Sequence, residues 1–244
     1  MFKNSMPANT RGMFEILSRI SLPMENDVWL CGGTGLSLLW NHRQSEDMDF
    51  LSTKKLKPGE INRWIAALQK MGYSVVDAMP LFERQLAEDD LYDLDDYQRD
   101  FVIDKKVKVT FFYDEDAAKI LNDAELYGKQ GSIRVPDEDT LFRLKIKALL
   151  DRNKSRDSFD IATGVAMGRY SIDDIVSLIK LIQPHARVDL MLIKLMTKSY
   201  HINDEGFSSV LNGNSPFNTI DELSEFMSKE INEWSLKESV DFGF

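Results

Sequence analysis

The fold is decided by one stretch of the chain, which reads Trp29-Leu-Cys-Gly-Gly-Thr-Gly-Leu-Ser-Leu-Leu-Trp-Asn-His-Arg-Gln-Ser-Glu-Asp-Met-Asp-Phe50. An apolar run from Asp27 to Cys31 predicts a short β-strand, and Gly32-Gly33 ends it. Leu36 to Trp40 then predict the first turns of a helix that begins at Thr34 or just after. Glycines at such a turn let a ligand approach the backbone, and the amides of a helix N-terminus bind phosphate. The turn therefore predicts a phosphate-binding corner.

The same stretch ends in two aspartates, Asp47 and Asp49, on a strand predicted from Met48 to Leu51. Residues at i and i+2 of a strand share a face, so both carboxylates leave the same side. Adjacent carboxylates repel each other unless a divalent cation neutralises them, and Mg²⁺ prefers hard oxygen ligands that it shares with substrate phosphates. An isolated Asp-x-Asp is more often a solvated strand edge. Behind a glycine turn and among apolar neighbours, the pair favours a metal site for Mg²⁺ (or Mn²⁺).

The rest of the chain divides into two patterns. Before Pro136, helical and strand patterns alternate, and the segments 99–104 and 106–113 predict a hairpin. After Pro136 only helical patterns occur, and they cover residues 137–152, 156–167, 171–182, 187–200 and 218–234. The sequence therefore predicts an α/β domain over residues 1–135 and a helical domain over residues 136–244.

Composition excludes several classes of protein. The 244 residues are 43% hydrophobic and 29% charged, as in an ordinary globular protein, and the single cysteine cannot form an internal disulfide. No apolar run reaches the roughly 20 residues that span a bilayer, and we expect neither a signal peptide nor a membrane contact. The expected location is cytoplasmic. With 30 Lys and Arg against 40 Asp and Glu, the net charge of −10 argues against a protein that coats DNA.

Charge is uneven along the chain. Residues 83–104 contain nine acids and two bases, which predicts a solvated loop and strand edge. Residues 143–156 contain six bases and one acid, so an anion could bind there. This basic segment could grip an RNA backbone within an acidic protein. Alternatively, its bases form local ion pairs with Asp151, Asp157 and Asp160.

Two groups of motifs resemble one known family. The first is Gly32-Gly-Thr34 followed by His42-Arg43-x-Ser45-x-Asp47-x-Asp49-Phe50. The second is Lys145-Ile-Lys-Ala148-Leu-Leu-Asp-Arg152 followed by Arg156-Asp157-Ser-Phe-Asp160. Together and in this order they resemble the AbiEii-type nucleotidyltransferases, the toxin components of abortive-infection toxin–antitoxin systems, within the DNA polymerase β-like nucleotidyltransferase superfamily.

The resemblance implies an α+β fold, with a nucleotidyltransferase-type mixed β-sheet and flanking helices, followed by a helical C-terminal domain that completes an active-site cleft. It implies transfer of a nucleoside monophosphate from an NTP to an acceptor hydroxyl, with RNA, and tRNA in particular, as the expected acceptor and an antitoxin protein as a partner. The catalytic residues implied are Asp47, Asp49, Lys145 and Asp157, with metal on the first two. The nucleotide-binding residues implied are Gly32, Gly33, Thr34, Arg43, Ser45, Lys145 and Arg152.

The chain departs from the family pattern at two positions. Gly35 stands where the family usually has alanine. Thr110 stands where many superfamily members place a third metal carboxylate, although Asp104, Asp114 and Asp116 lie near it in sequence. This second departure keeps two alternatives open. The chain could be a catalytically degenerate protein that binds nucleotide or a partner, or it could transfer the nucleotide to a small molecule.

Overall fold

A computed structural model gives the architecture of the chain and describes residues 5–241. Close packing divides these residues into two compact units, the first ending at Leu141 and the second beginning at Phe142. The first unit contains α1 (Ala8–Leu17), β1 (Val28–Leu30), α2 (Gly32–Trp40), β2 (Met48–Ser52), α3 (Pro58–Lys70), β3 (Val75–Asp77), α4 (Leu81–Asp89), β4 (Gln98–Ile103), β5 (Val107–Phe112), α5 (Glu115–Asn122), β6 (Leu126–Gln130) and β7 (Ile133–Pro136). Helix α6 (Glu138–Asp151) spans the division. The second unit continues with α7 (Ser155–Ala166), α8 (Ile172–Ile182), α9 (Val188–Met196) and α10 (Ile220–Asp241).

A five-stranded mixed sheet organises the first unit, in the order β1-β2-β5-β4-β3. Strands β2 and β5 are parallel, and the other neighbours are antiparallel. Phe50 of β2 and Phe111 of β5 stack at 5.2 Å, and Trp64 of α3 meets Phe111 edge-on at 5.2 Å. These aromatic side chains form the core on one face of the sheet. Because side chains alternate along a strand, Asp49 and Thr110 lie on the opposite face.

Helices pack around α7 in the second unit. Ten of the twelve residues of α7 are buried, and α10 packs against α7, α8 and α9. Phe159 of α7 lies 4.6 Å from the Phe207 ring. A capping box fixes the start of α8, because Ser171 and Asp174 each bond to the other's backbone amide. The mixed sheet followed by helices confirms the α+β class predicted from the sequence, whereas the functional division at residues 135 and 136 stays a prediction.

Local details correct the sequence-based expectations. The acidic run contains a helix, α4, where a solvated loop was expected, and its apolar residues Leu81 and Phe82 are exposed. The hairpin of β6 and β7 was not expected. Helix α9 ends at Met196, four residues before the expected end at 200, and the last helix continues to Asp241. No helix in residues 5–241 is long and apolar enough to cross a membrane.

Candidate active site

The glycine turn lies inside α2 and not before it. Helix α2 begins at Gly32, so the expected start at Thr34 is wrong by two residues. Gly32 has a φ of 61°, which other residues rarely adopt, and a Cβ there would collide with the carboxylate of Asp49. A Cβ at Gly33 would collide with the guanidinium of Arg43. A residue with a side chain is therefore strained at position 32, and at position 33 it would have to displace the Arg43 guanidinium.

Thr34 and Ser45 hold the aspartate segment in place. The buried Thr34 hydroxyl lies 2.8 Å from the Ser45 hydroxyl and donates to the backbone carbonyl of Asp47. The backbone carbonyl of Asp49 accepts from the amide of Cys31 at 2.8 Å. Both aspartates are thus fixed to the start of α2 through the backbone, and the Thr34 side chain points to them and not to solvent.

The departure at Gly35 also has a steric reason. A Cβ at this position would lie 2.8 Å from a methyl group of Leu141 and 3.2 Å from the carbonyl oxygen of Leu30. Contacts this short require the neighbours to move, so α2 packs more closely here than an alanine allows.

Asp47 and Asp49 are half-buried and lie at the start of β2, with Asp47 just outside the strand. The negative charges of Asp47 and Asp49 both act on Lys108 of β5. Burial lowers the pKa of Lys108, but its hydrogen bond to Asp100 and the charges of Asp100, Asp49 and Asp47 outweigh burial, so this pKa lies above its ordinary value.

The donor set at the corner fits Mg²⁺. In the described part of the chain, no group of three or more His, Cys, Asp or Glu side chains is arranged to hold a metal ion. Magnesium does not need such a cage, because it is held by one or two carboxylates together with substrate phosphates and water. Asp47 and Asp49 supply those carboxylates, and the missing side chain of Gly32 lets the Asp49 carboxylate lie directly against the start of α2.

Two other reactive side chains near the glycines belong to the core. Cys31 is buried, and burial raises the pKa of its thiol far above the ordinary value, with the charge of Asp49 acting in the same direction. The thiol therefore stays protonated. His42 is buried and packs edge-on against Trp40 at 5.3 Å. Neither position suits a nucleophile or a general base.

The second unit holds the other motif residues as a buried charge cluster on α6 and α7. The ammonium of Lys145 lies 2.8 Å from a carboxylate oxygen of Asp157 and 2.8 Å from one of Asp160. Arg152 donates from Nε to Asp157 at 2.7 Å and from Nη2 at 3.3 Å. Asp157 is 2% exposed and Asp160 is 0% exposed, so both carboxylates are buried, whereas the Arg152 side chain is 53% exposed.

The charge state of Asp157 follows from this geometry. Burial alone would raise its pKa, but the charge of Lys145 and the hydrogen bond from Arg152 outweigh burial. The pKa of Asp157 therefore lies below its ordinary value, and the group is a carboxylate at neutral pH. A carboxylate this firmly held by two cations is a weak proton acceptor.

Most of the basic segment 143–156 is used internally. Beyond Lys145 and Arg152, Lys147 pairs with Asp151 at 2.6 Å and Arg156 pairs with Glu205 at 3.0 Å. The described residues give Arg143 and Lys154 no ion pair. The alternative of local ion pairs therefore holds for four of the six bases, with Glu205 as a partner that sequence did not indicate.

Sequence reasoning missed Asp100 and Lys108. Thr110, at the expected third-carboxylate position, pairs with Asp49 on one side and with Asp100 on the other. The signal was present, because a turn at residues 104–106 places Asp100 opposite Thr110. The three acids considered from the sequence have other uses: Asp104 accepts from the Ser74 amide, Asp114 caps α5 through the Ala117 amide, and Asp116 pairs with Lys119.

Comparisons with known proteins agree with the motifs. A family model described as nucleotidyl transferase AbiEii toxin, Type IV TA system, matches residues 15–233. A structure from H. pylori described as a nucleotidyltransferase is 16% identical to this chain, with a TM-score of 0.49. The alignment covers 93% of this chain and 96% of the H. pylori chain. MenT4, a nucleotidyltransferase toxin from Mycobacterium tuberculosis H37Rv, is 12% identical with a TM-score of 0.46, covering 83% and 76%. Neither similarity is strong enough to assign a residue. No curated protein matches the chain.

Proposed function

The chain belongs to the AbiEii family of nucleotidyl transferase toxins, and on that premise we propose that it carries out metal-dependent transfer at the corner formed by α2 and β2. Family membership confirms that it is a nucleotidyltransferase of a toxin–antitoxin system. The observation that carries the proposed site is the contact between the Gly32 backbone and the carboxylate of Asp49. It brings a helix N-terminus, which favours phosphate, directly onto a pair of carboxylates, which favours a divalent cation.

Asp47 and Asp49 would hold Mg²⁺ (or Mn²⁺), which when bound would neutralise charge on the reacting phosphate and orient it. Residues of the chain itself are proposed to bind and orient the phosphates. The first amides of α2, from Gly32 to Thr34, have no acceptor within the helix and can donate to phosphate oxygens. Arg43 adds a guanidinium against Gly33. The buried hydroxyls of Thr34 and Ser45 keep Asp47 in position, so their part in nucleotide binding is indirect.

Lys145 and Arg152 are proposed to neutralise the phosphates of the bound NTP. Two roles are chemically open to Asp157: it can orient the acceptor hydroxyl or act as a general base. Its pKa is held below the ordinary value by two cations, so orientation of the acceptor and of Lys145 is the better assignment. Proton removal from the acceptor is then left to water, and a bound metal would ease it by lowering the pKa of a hydroxyl next to it.

RNA, with tRNA foremost, is the proposed acceptor, and an antitoxin protein is the proposed partner. The RNA proposal now rests on the family and on two bases, Arg143 and Lys154. A small-molecule acceptor is the second candidate, and it is favoured by the ion pairs that occupy the other four bases. The cytoplasmic location expected from the sequence stays a prediction.

Label transfer tests the proposed activity. The protein is incubated with each labelled NTP, Mg²⁺ and total RNA, alongside Asp49→Ala and the matched control Asp89→Ala, which removes an exposed acid of α4. Wild type and Asp89→Ala should label RNA, and Asp49→Ala should not. Full transfer by Asp49→Ala with a normal melting curve would falsify the site.

A further inference from the structure

One face of the central sheet carries a row of polar side chains next to the paired aspartates. Asp49 of β2 pairs in register with Thr110 of β5, and Thr110 pairs with Asp100 of β4. Lys108 lies two residues before Thr110 and therefore projects from the same face. We call these four residues the polar row.

Lys108 is held within the polar row by Asp100. The ammonium lies 2.7 Å from the carboxylate of Asp100, which also accepts from the amide of Gln98 at 3.1 Å. The Asp100 side chain is 4% exposed, whereas the Lys108 side chain is 44% exposed. The buried Asp100 carboxylate, which accepts hydrogen bonds from two side chains, thus fixes the position of the Lys108 ammonium. The Lys108 side chain itself is partly accessible to solvent.

Stability alone gives a weak reason for this pair. Burying Asp100 costs free energy that its partner recovers only in part, so an apolar pair in the middle of a sheet would serve the fold as well. The site gives a better reason, because Asp47 and Asp49 act electrostatically on the same lysine. An ammonium has three donors, and the bond to Asp100 uses one of them.

We propose that Lys108 binds the triphosphate of the NTP at the corner and that Asp100 is the residue that positions it. This rests on the proposed function, since the triphosphate is brought by the site at Asp47 and Asp49. Thr110 in place of a third carboxylate is then part of the arrangement. A carboxylate at position 110 would lie between Asp49 and Asp100 and would compete with phosphate for the same ammonium.

Calorimetry with inorganic tripolyphosphate and Mg²⁺ tests the proposal without depending on the base of the nucleotide. Lys108→Met should weaken binding about tenfold or more, the loss expected for a hydrogen bond to a charged group. Lys108→Arg should retain most of the affinity. Lys106→Met is the matched control, since Lys106 is exposed in the β4–β5 turn, and it should bind as wild type does. No binding by wild type, or equal binding by Lys108→Met, would overturn the proposal.

The role of Asp100 is separated by a double mutant. Asp100→Asn should weaken tripolyphosphate binding less than Lys108→Met does, and the combined variant should be no weaker than Lys108→Met alone, because Asp100 acts through the lysine. Melting curves establish that each variant is folded. If Asp100→Asn instead shifts the Mg²⁺ dependence of binding in the Lys108→Met background, Asp100 is a metal ligand and the positioning role is wrong.

The role of Lys108 and the site at Asp47 and Asp49 are contradicted by different results. Loss of label transfer in Asp49→Ala together with normal tripolyphosphate binding by Lys108→Met removes only the role of Lys108. Normal transfer by Asp49→Ala removes the proposed site itself.

Discussion

Two regions of the molecule each bring two aspartates together: the corner of α2 and β2, and the cluster on α6 and α7. They differ in whether a side-chain cation neutralises the two carboxylates. At the corner, Asp47 and Asp49 are half-buried, and the backbone of Gly32 packs against a carboxylate. In the cluster, Asp157 and Asp160 are buried with the ammonium of Lys145 at 2.8 Å from each. The first region is proposed to receive a cation, and the second already contains its own. The comparison separates a carboxylate pair proposed to bind a metal from a pair that is already neutralised by the protein's own lysine, although both belong to the family motifs.

The largest effect is expected where the cluster is broken. Asp157→Asn removes the buried carboxylate that pairs with both Lys145 and Arg152 and leaves Lys145 with Asp160 alone, so the free energy of unfolding should fall by about 2–3 kcal/mol, as for a lost bond between charged groups. Urea denaturation measures this loss. The matched control is Asp189→Asn, which breaks an exposed pair with Arg187 and should unfold as wild type does. Equal stability of Asp157→Asn and wild type would mean that the cluster does not support the fold.

Lysine substitutions on α6 sharpen the same contrast. Lys145→Ala should lower label transfer roughly a hundredfold or more, as for a phosphate contact worth about 2–4 kcal/mol, and it should also lower the melting temperature because two buried carboxylates are left together. Lys147→Ala removes a pair with the exposed Asp151 and should change both quantities less than Lys145→Ala does. A greater loss of transfer at Lys147 than at Lys145 would place the functional face on the other side of α6.

A single methyl group tests the corner. Gly32→Ala must adopt a positive φ and must displace the Asp49 carboxylate, so it should cost about 1–3 kcal/mol of stability and remove most of the transfer activity. Gly12→Ala is the control, because a Cβ there meets nothing within 4 Å inside helix α1. It should stabilise the protein by about 0.5–1 kcal/mol. Gly32→Ala with wild-type activity would show that the close contact is not needed.

Acid should destabilise the protein in part through the charge cluster. The pKa of Asp157 is lower in the folded than in the unfolded chain, so its contribution to stability is complete above about pH 4 and is lost as pH falls through the folded value. The urea midpoint of wild type should therefore drop more steeply below about pH 4 than that of Asp157→Asn. Asp137 and Asp204, whose pKa values are also lowered, leave both proteins with a remaining slope. Identical slopes would contradict the charge state assigned to Asp157.

Salt dependence gives the smallest effect and concerns the acceptor. With two bases available for RNA, Arg143 and Lys154, the slope of log kcat/KM against log salt should be about −1.4, at roughly 0.7 per phosphate contact on a single strand. Use of all six bases would give about −4. A slope near zero would favour the small-molecule acceptor.

Sequence patterns predicted the secondary structure where it follows from the spacing of apolar residues along the chain. The strand, the glycines and Asp47 to Asp49 follow from alternation and spacing, and α6 and α7 follow from helical periodicity. Helix α4 was missed because Leu81, Phe82 and Leu86 are exposed among acids, so the sequence shows no buried apolar stripe. Strand β6 was missed for a similar reason, since Leu126 and Tyr127 are exposed.

Contacts between distant residues could not be predicted in this way. The sequence offered Asp157 and Asp160 as partners of the basic segment, but it did not show that both hold Lys145. It gave no sign of the pair between Arg156 and Glu205, which joins a helix to a loop almost 50 residues later. Their geometry depends on helix packing, which a motif does not contain. The basic segment therefore looked more available to RNA than the folded protein allows.

Iron-mediated cleavage locates the bound metal within the protein. Fe²⁺ replaces Mg²⁺, and ascorbate with peroxide then cuts the backbone near the bound ion, with the fragments identified by mass spectrometry. If Asp47 and Asp49 hold the metal, cuts fall near residues 31–33 and 47–49, are suppressed by excess Mg²⁺ and are absent in Asp49→Ala. Cuts confined to residues 145–160, unchanged in Asp49→Ala, would place the metal at the charge cluster and rule out the site at Asp47 and Asp49.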